Sequence, residues 1–469
     1  MKTIHLFLAS LLITPCLWAA TAIVDEDGML QVNGNRLFVL GLYENPKDDA
    51  KLAEVAEAGF NLVHGAADSD ALNRLWDRNL YSWVNTGYAI DFSDDPESGQ
   101  KKIVDLVNTV ASHPGLLVWE VPDEALWNAW YRATQWRRGA EPRQQRELID
   151  ALTDVALKEK LNAMRSEAEV AYATARPEIG EKLSDAIWRE LGKKPPNPEL
   201  NLSNAPERAE KLGNGMIEGY QFLKQADPNH PVWMNHAPRN SIEQLAFFNR
   251  GADIVGCDIY PVPLGGTGHS DLGNRTLACV GAYHRRMQDA APGKPVWMVL
   301  QGFGWADLDK TATDKDRKEK RKPTLEETRF MAYDAIVNGA RGILYWGTAY
   351  MGDAPVFWQE LCSVVAELHA LQPMLSARDA QLDIQIELAE TWGSLDRGVR
   401  VLPKQVGNQI YLIVVNEWCD PLRYTLSGLN SLNSTSYKDT ATGRTATVEN
   451  GVLTLPIRAY GVHVLQPNE

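Results

Sequence analysis

The chain predicts an α/β fold: a (β/α)8 barrel with a helical insertion after its fourth strand and a C-terminal all-β sandwich. Three observations carry that reading. Eight short apolar runs alternate with amphipathic helical stretches. About a hundred residues of helical text separate the fourth run from the fifth. After Pro373 the text changes to short alternating strands broken by turn residues.

Taken in order, residues 1–22 come first. Lys2, the apolar run Ile4 to Ile13 and the small-residue triplet Ala20-Thr21-Ala22 form an export signal cut after Ala22. Ile13-Thr14-Pro15 ahead of Cys16 lacks the small residues that lipid attachment prefers. The run is too short to span a bilayer, and no later segment reaches roughly 18 consecutive apolar residues. The expected location is therefore the periplasm or the extracellular space.

A lead-in turning at Asp27-Gly28 and Asn33-Gly34 opens the barrel, residues 23–375. Its strands are read at Leu37 to Leu42, Asn61 to His64, Leu80 to Val84, Gly115 to Glu120, Val232 to Asn235, Ile254 to Ile259, Val296 to Leu300 and Gly342 to Trp346. Helices fill the gaps, as at Asp48 to Ala58, or at Thr324 to Asn338 with its Thr324-x-x-Glu327 capping box. The insertion covers about 137–226, with Leu148, Leu152 and Val155 at helical spacing and a stop at Leu191-Gly192 before Pro195-Pro196. Residues 376–469 read as the β-sandwich, with strands at Leu382 to Leu388, Gly398 to Leu402, Gln409 to Val415, Arg423 to Leu426, Thr445 to Val448, Val452 to Pro456 and Gly461 to Leu465.

Composition narrows the chemistry. A formal net charge of -14 argues against nucleic acid as a partner, since a phosphate backbone is held by clustered Lys and Arg. Cys257, Cys279, Cys362 and Cys419 are widely spaced with no C-x-x-C, which indicates neither a zinc knuckle nor a dense disulfide scaffold and leaves a single disulfide open. His64 and His236 lack the spacing that lets two histidines share an ion, so no catalytic metal and no cofactor are expected. Fifteen Trp and fifteen Tyr supply aromatic faces of the kind that stack on sugar rings, with core packing as the alternative for each.

In such barrels the loops after the strands' carboxyl ends form the site. Here those ends bring Tyr43 and Glu44, His64, Trp83 and Asn85, Glu120 with Asp123-Glu124, Asn235-His236, Asp258 and Tyr260, Gln301, and Trp346. Cleaving a glycosidic bond needs a carboxylic acid beside the leaving oxygen and a second carboxylate near the anomeric carbon. Glu124 suits the first role. Glu120 is expected to point into the barrel in a structural role, partnered by a residue such as His64. Trp83, Trp119, Trp305 and Trp346 fall where sugar platforms would sit.

The segment Val118-Trp-Glu-Val-Pro-Asp-Glu-Ala125 resembles the fourth strand of clan A glycoside hydrolases, which ends in an Asn-Glu or Asp-Glu pair with the Glu as general acid/base. Lys294-Pro-Val-Trp-Met-Val-Leu-Gln-Gly-Phe-Gly304 is similar to their seventh strand, Gly342-Ile-Leu-Tyr-Trp346 to their eighth, and Asp258-Ile-Tyr-Pro261 to the sixth-strand segment carrying an aromatic near the sugar. The resemblance implies a glycosidase acting on a poly- or oligosaccharide. It makes Glu124 the acid, Trp346 the sugar-site floor and Tyr260 an aromatic near the sugar, while strand-end position makes Asp123, Asn235, His236, His64, Glu44, Trp83, Trp305 and Gln301 expected substrate contacts. Gln301 stands where that clan carries its nucleophilic Glu, and an amide cannot be that nucleophile. Asp258 is then the first candidate for the second carboxylate, with Glu44 and Glu120 behind it. Lying two strands from Glu124, it leads to the expectation of an inverting, water-mediated reaction, which needs carboxyl groups roughly 6.5 to 9.5 Å apart against about 5 to 5.5 Å for retention. Alternatives are a substrate-borne nucleophile, a barrel that binds sugar without cutting it, or a polysaccharide lyase. An esterase would need a Ser elbow, and no G-x-S-x-G occurs.

Overall fold

The computed structural model describes residues 21–237, 239–264, 273–389 and 398–468. Apart from Thr21 and Ala22, the export segment lies outside them. Three short strands come first: β1 (Ala22–Val24), β2 (Leu30–Val32) and β3 (Asn35–Leu37) form an antiparallel sheet. Asn33 and Gly34 both have positive φ, as the tight β2–β3 turn requires. Ala22, Leu30 and Val32 pack with the residues inside the barrel, so this sheet covers one end of it.

Eight parallel strands close the barrel in chain order: β4 (Val39–Leu42), β5 (Leu62–Gly65), β6 (Tyr81–Asn85), β7 (Leu116–Glu120), β8 (Val232–His236), β9 (Ile254–Ile259), β10 (Val296–Gln301) and β11 (Gly342–Trp346). Each overlaps its expected run. Alternation decides what each residue faces. Val39, Leu62, Trp83, Val118, Trp233, Ile254, Trp297, Val299 and Leu344 fill the barrel interior, whereas Leu40, Val63, Val84, Met234, Val255, Met298 and Ile343 join the core beneath the helices. The same parity carries His64, Asn85, Glu120, Asn235, Asp258, Gln301 and Trp346 inward at the upper rim.

The long segment between β7 and β8 is helical: Ala125–Gln135, a π turn at Trp136–Ala140, then Glu141–Asp150, Val155–Ala173, Pro177–Glu190 and Ala205–Ala226. A small core of Ile149, Leu161 and Ile187 is joined by a buried ion cluster. In it, Arg137 donates to both oxygens of Glu141 and to Asp185, and Trp188 donates to Glu141 at 2.8 Å. The last helix lies against the barrel, and Gly219 permits that: a Cβ there would meet the Ile90 carbonyl oxygen.

The C-terminal strands are β12 (Arg378–Asp379), β13 (Gln385–Leu388), β14 (Val399–Val406), β15 (Gln409–Asn416), β16 (Leu422–Ser427), β17 (Ser436–Asp439), β18 (Thr445–Thr447), β19 (Leu453–Ile457) and β20 (Val462–Pro467). They form a six-stranded sheet in the order β12-β14-β15-β20-β17-β18 and a three-stranded sheet β13-β16-β19. Ile413, Val415, Val462 and Val464 extend the barrel's outer core into this sandwich. Arg329 adds an ion pair to Glu367 and a hydrogen bond to the Val462 carbonyl. Among the described residues, the cysteines at 257, 279, 362 and 419 form no disulfide.

Candidate active site

Glu120 organises the floor of the barrel mouth. It is 2% exposed and accepts hydrogen bonds from the Tyr43 hydroxyl (2.5 Å), the Trp83 indole N–H (3.1 Å) and the Asn85 amide (2.7 Å). Burial, and then the charge of Asp123, push its carboxyl up to about 8. Its partners are therefore Tyr43, Trp83 and Asn85 instead of His64, which lies against the Trp83 ring at 5.7 Å. Trp83 is fully buried among Tyr43 and Trp233, so its face cannot stack on a sugar, contrary to the expectation.

Above that floor sits a carboxyl cluster. Asn235 donates to Asp123 (3.0 Å) and to Asp258 (2.7 Å) through one amide nitrogen, linking β8 to the loop after β7 and to the end of β9. Glu124 begins the first helix of the insertion in a left-handed conformation, φ 49° and ψ 32°, and its N–H donates to the Asn235 carbonyl. A non-glycine residue held in that region stores strain, and such positions concentrate where function demands a particular aim. Here the kink brings the half-buried Glu124 carboxyl into hydrogen bonding with Asp258.

Burial first, then Asp123, raise the Glu124 carboxyl to about 7, while the hydrogen bond to Asp258 pulls it back. Asp258 is raised well above the carboxylate range, by burial and then by the charges of Glu124 and Asp123. Asp123 is open to solvent but crowded by protein in a concave setting, and that desolvation raises it despite the Asn235 bond. The cluster thus retains protons that isolated carboxylates would have lost, because like charges at close range cannot all ionise.

Around one side stands an aromatic wall. Trp346 stacks on Tyr260 with ring centroids 5.5 Å apart, Phe303 meets both edge-on, and Trp305 and the exposed Tyr350 extend the surface. Trp305 and Trp346 are partly open; Tyr260 lies beneath them at 2% exposure. Phe303 and Tyr350 are not among the residues expected at the site from sequence.

Two expected contacts are placed elsewhere. Gln301 is fully buried: its amide donates to the carbonyls of Val262 (2.8 Å) and Phe303 (3.0 Å) and accepts from the Val262 N–H (2.9 Å). Every polar group of the side chain is engaged with backbone, so it braces the loops after β9 and β10 and has nothing left for sugar. His236 has the outward parity of β8 and bonds Asn249 in the helix layer at 2.9 Å, with burial lowering its imidazole to about 4. It faces away from the mouth. Glu44 ties the loops after β4 and β11 through bonds from the Gly347 N–H and the Thr348 hydroxyl. Among the described residues, no group of three or more His, Cys, Asp or Glu is arranged to hold a metal ion, and no helix is long and apolar enough to cross a membrane.

No family model matches the chain, and no curated protein matches it in sequence. Solved structures do match. A β-galactosidase from Bacillus circulans sp. alkalophilus superposes with a TM-score of 0.52 over 92% of this chain and 99% of its own, at 11% identity. A glycoside hydrolase family 5 protein from Bacteroides vulgatus gives 0.51 over 96% and 93%, at 13% identity. At such identities the likeness shows the fold: a closed eight-stranded parallel barrel followed by a β domain.

Proposed function

We propose that the protein is a glycoside hydrolase acting on a poly- or oligosaccharide outside the cytoplasm, with Glu124 as the general acid. The observation that carries this reading is the Glu124–Asp258 carboxyl pair beside a partly open aromatic wall. A proton donor works best when its pKa lies near the working pH, and a value of about 7 leaves Glu124 about half protonated at neutrality. Trp346 and Trp305 offer rings to a sugar face on the same side of the barrel mouth.

Asp258 is the second carboxyl. Its direct hydrogen bond to Glu124 leaves no room for a water between the two groups, so the pair does not fit the wide spacing of an inverting reaction. The short approach favours retention instead, with a substrate entering between the pair and parting it. Gln301, in the position of the resembled clan's nucleophile, acts as a brace and stays out of the chemistry. The described strand-end residues facing the mouth bring five carboxyls (Glu44, Glu120, Asp123, Glu124 and Asp258) and no Lys or Arg. That disfavours a lyase, which must hold a uronate carboxylate, and it favours an uncharged sugar at the cleaved bond.

The test is a panel of neutral oligosaccharides with the released anomer followed by NMR. Glu124→Gln should lose at least ~100-fold in turnover with its thermal midpoint intact, the scale of a missing general acid. Near-normal turnover would remove the assignment. Binding without cleavage by the unaltered protein would favour a non-catalytic sugar-binding barrel.

A further inference from the structure

The sandwich carries a cleft of about 780 Å³ that the barrel chemistry does not use. Arg423 of β16, Arg444 from the turn before β18 and Arg458 just past β19 converge on it. Pro421 and Pro456 form apolar walls, and Asp420 is the one carboxylate in the lining. Alternation in β16 explains how Arg423 reaches the cleft: Leu422, Tyr424 and Leu426 face the sandwich core, so Arg423 faces out, opposite Pro456 in the ladder.

Several arginines of this acidic chain are tied to carboxylates, among them Arg36, Arg74, Arg137, Arg329 and Arg341. Arg444 and Arg458 differ. Among the described residues neither guanidinium makes an ion pair or a side-chain hydrogen bond, although both lie in a chain of net charge -14. Their field is felt inside the sandwich: His463 of β20 is held below its ordinary range, first by burial and then by Arg329, Arg444 and Arg458 against the opposing pull of Asp439.

A guanidinium fork matches a carboxylate or a sulfate in two parallel hydrogen bonds. The guanidinium forks of Arg444 and Arg458, in a cleft of ligand size walled by proline rings, suit an acidic group carried on a sugar ring. Three cations are too few to grip nucleic acid, where binding rests on a long row of phosphate contacts. We propose that this cleft binds the carboxylate or sulfate groups of an acidic polysaccharide, holding the polymer by its charged units. The proposal stands independently of what the barrel does.

The experiment is native affinity electrophoresis of the full chain through gels containing polygalacturonate, dextran sulfate or neutral dextran, with Glu124→Gln as the background so that no polymer is consumed. A net charge of -14 repels polyanions, so retardation by an acidic polymer reports a local site. The background protein should be retarded by one acidic polymer and not by dextran, and which polymer retards it identifies the acidic group. The exposed pair Arg444→Ala and Arg458→Ala should weaken retention about 100-fold, roughly ten-fold for each charged hydrogen-bonding partner removed. Conservative Lys at both positions should keep part of it. Equal mobility in acidic and neutral gels would overturn the proposal, as would undiminished retention in a double Ala variant whose thermal midpoint is unchanged.

Discussion

Asp123→Asn tests the electrostatics of the cluster without changing its shape. The substitution keeps an oxygen to accept the Asn235 bond and removes a charge that is the largest influence after burial on both Glu124 and Glu120. Raising Glu124 from 4.5 to about 7 corresponds to about 3 kcal/mol between its two protonation states. Two carboxylates about 5 Å apart at an effective dielectric near 20 interact by about 3 kcal/mol, and solvent at the open side of Asp123 cuts that roughly in half. Glu124 in the variant should therefore ionise about one unit lower. Since the acid must be protonated to act, the basic limb of the kcat profile moves down by that unit. Activity at pH 7 should fall about five-fold while activity at pH 5 stays nearly unchanged. The assay is kcat against pH on a neutral oligosaccharide or aryl glycoside. Stability supplies a second readout. Glu124 and Glu120 have folded values above their ordinary 4.5, so their contribution is full below about 4.5 and is lost as pH rises through about 7 and about 8. The variant should lose less stability across that window than the parent. A basic limb that stays in place, or moves up, refutes the coupling of Asp123 to Glu124.

Gln301→Glu tests the bracing role, which predicts damage. Glu cannot donate to the Val262 and Phe303 carbonyls and would place an unpaired acid in a fully buried site, so unfolding should become easier by about 3 kcal/mol or more with no gain in turnover; a variant as stable as the parent and more active contradicts the brace. Asp334→Asn addresses the contact between barrel and sandwich, where Asp334 in the helix Leu325–Val337 hydrogen-bonds Glu417 while Arg285 and Arg400 face Glu417. Burial and then the Glu417 charge raise Asp334 well above 3.8, so stability declines as pH climbs from that value, and the Asn variant should flatten the decline in urea titrations between pH 4 and 9.

The barrel strands were legible because each is a short apolar run followed by polar residues, and the eight runs coincide with β4 to β11. The strand ends followed from them, which brought Asp123, Glu124, Asn235, Asp258, Tyr260 and Trp346 to one mouth. Strand β17 was missed because Asn433-Ser-Thr-Ser-Tyr-Lys-Asp439 is polar text with one buried aromatic, Tyr437, and β12 because two residues carry no period. What could not be read was the side of the wall on which a residue falls. A parallel strand is buried on both faces, so Val232 to His236 shows no contrast between Asn235, which faces the mouth, and His236, which faces the helices. Trp83 misled for another reason: it faces inward but lies too deep, packed under Tyr43 and Trp233. Gln301 poses a further difficulty: its partners are backbone groups of Val262 and Phe303, and a backbone N–H or carbonyl leaves no mark on residue identity. From sequence, an amide ready for sugar and an amide fully engaged with loops look alike. Only the fold, by folding the loop after β9 over the end of β10, separates them.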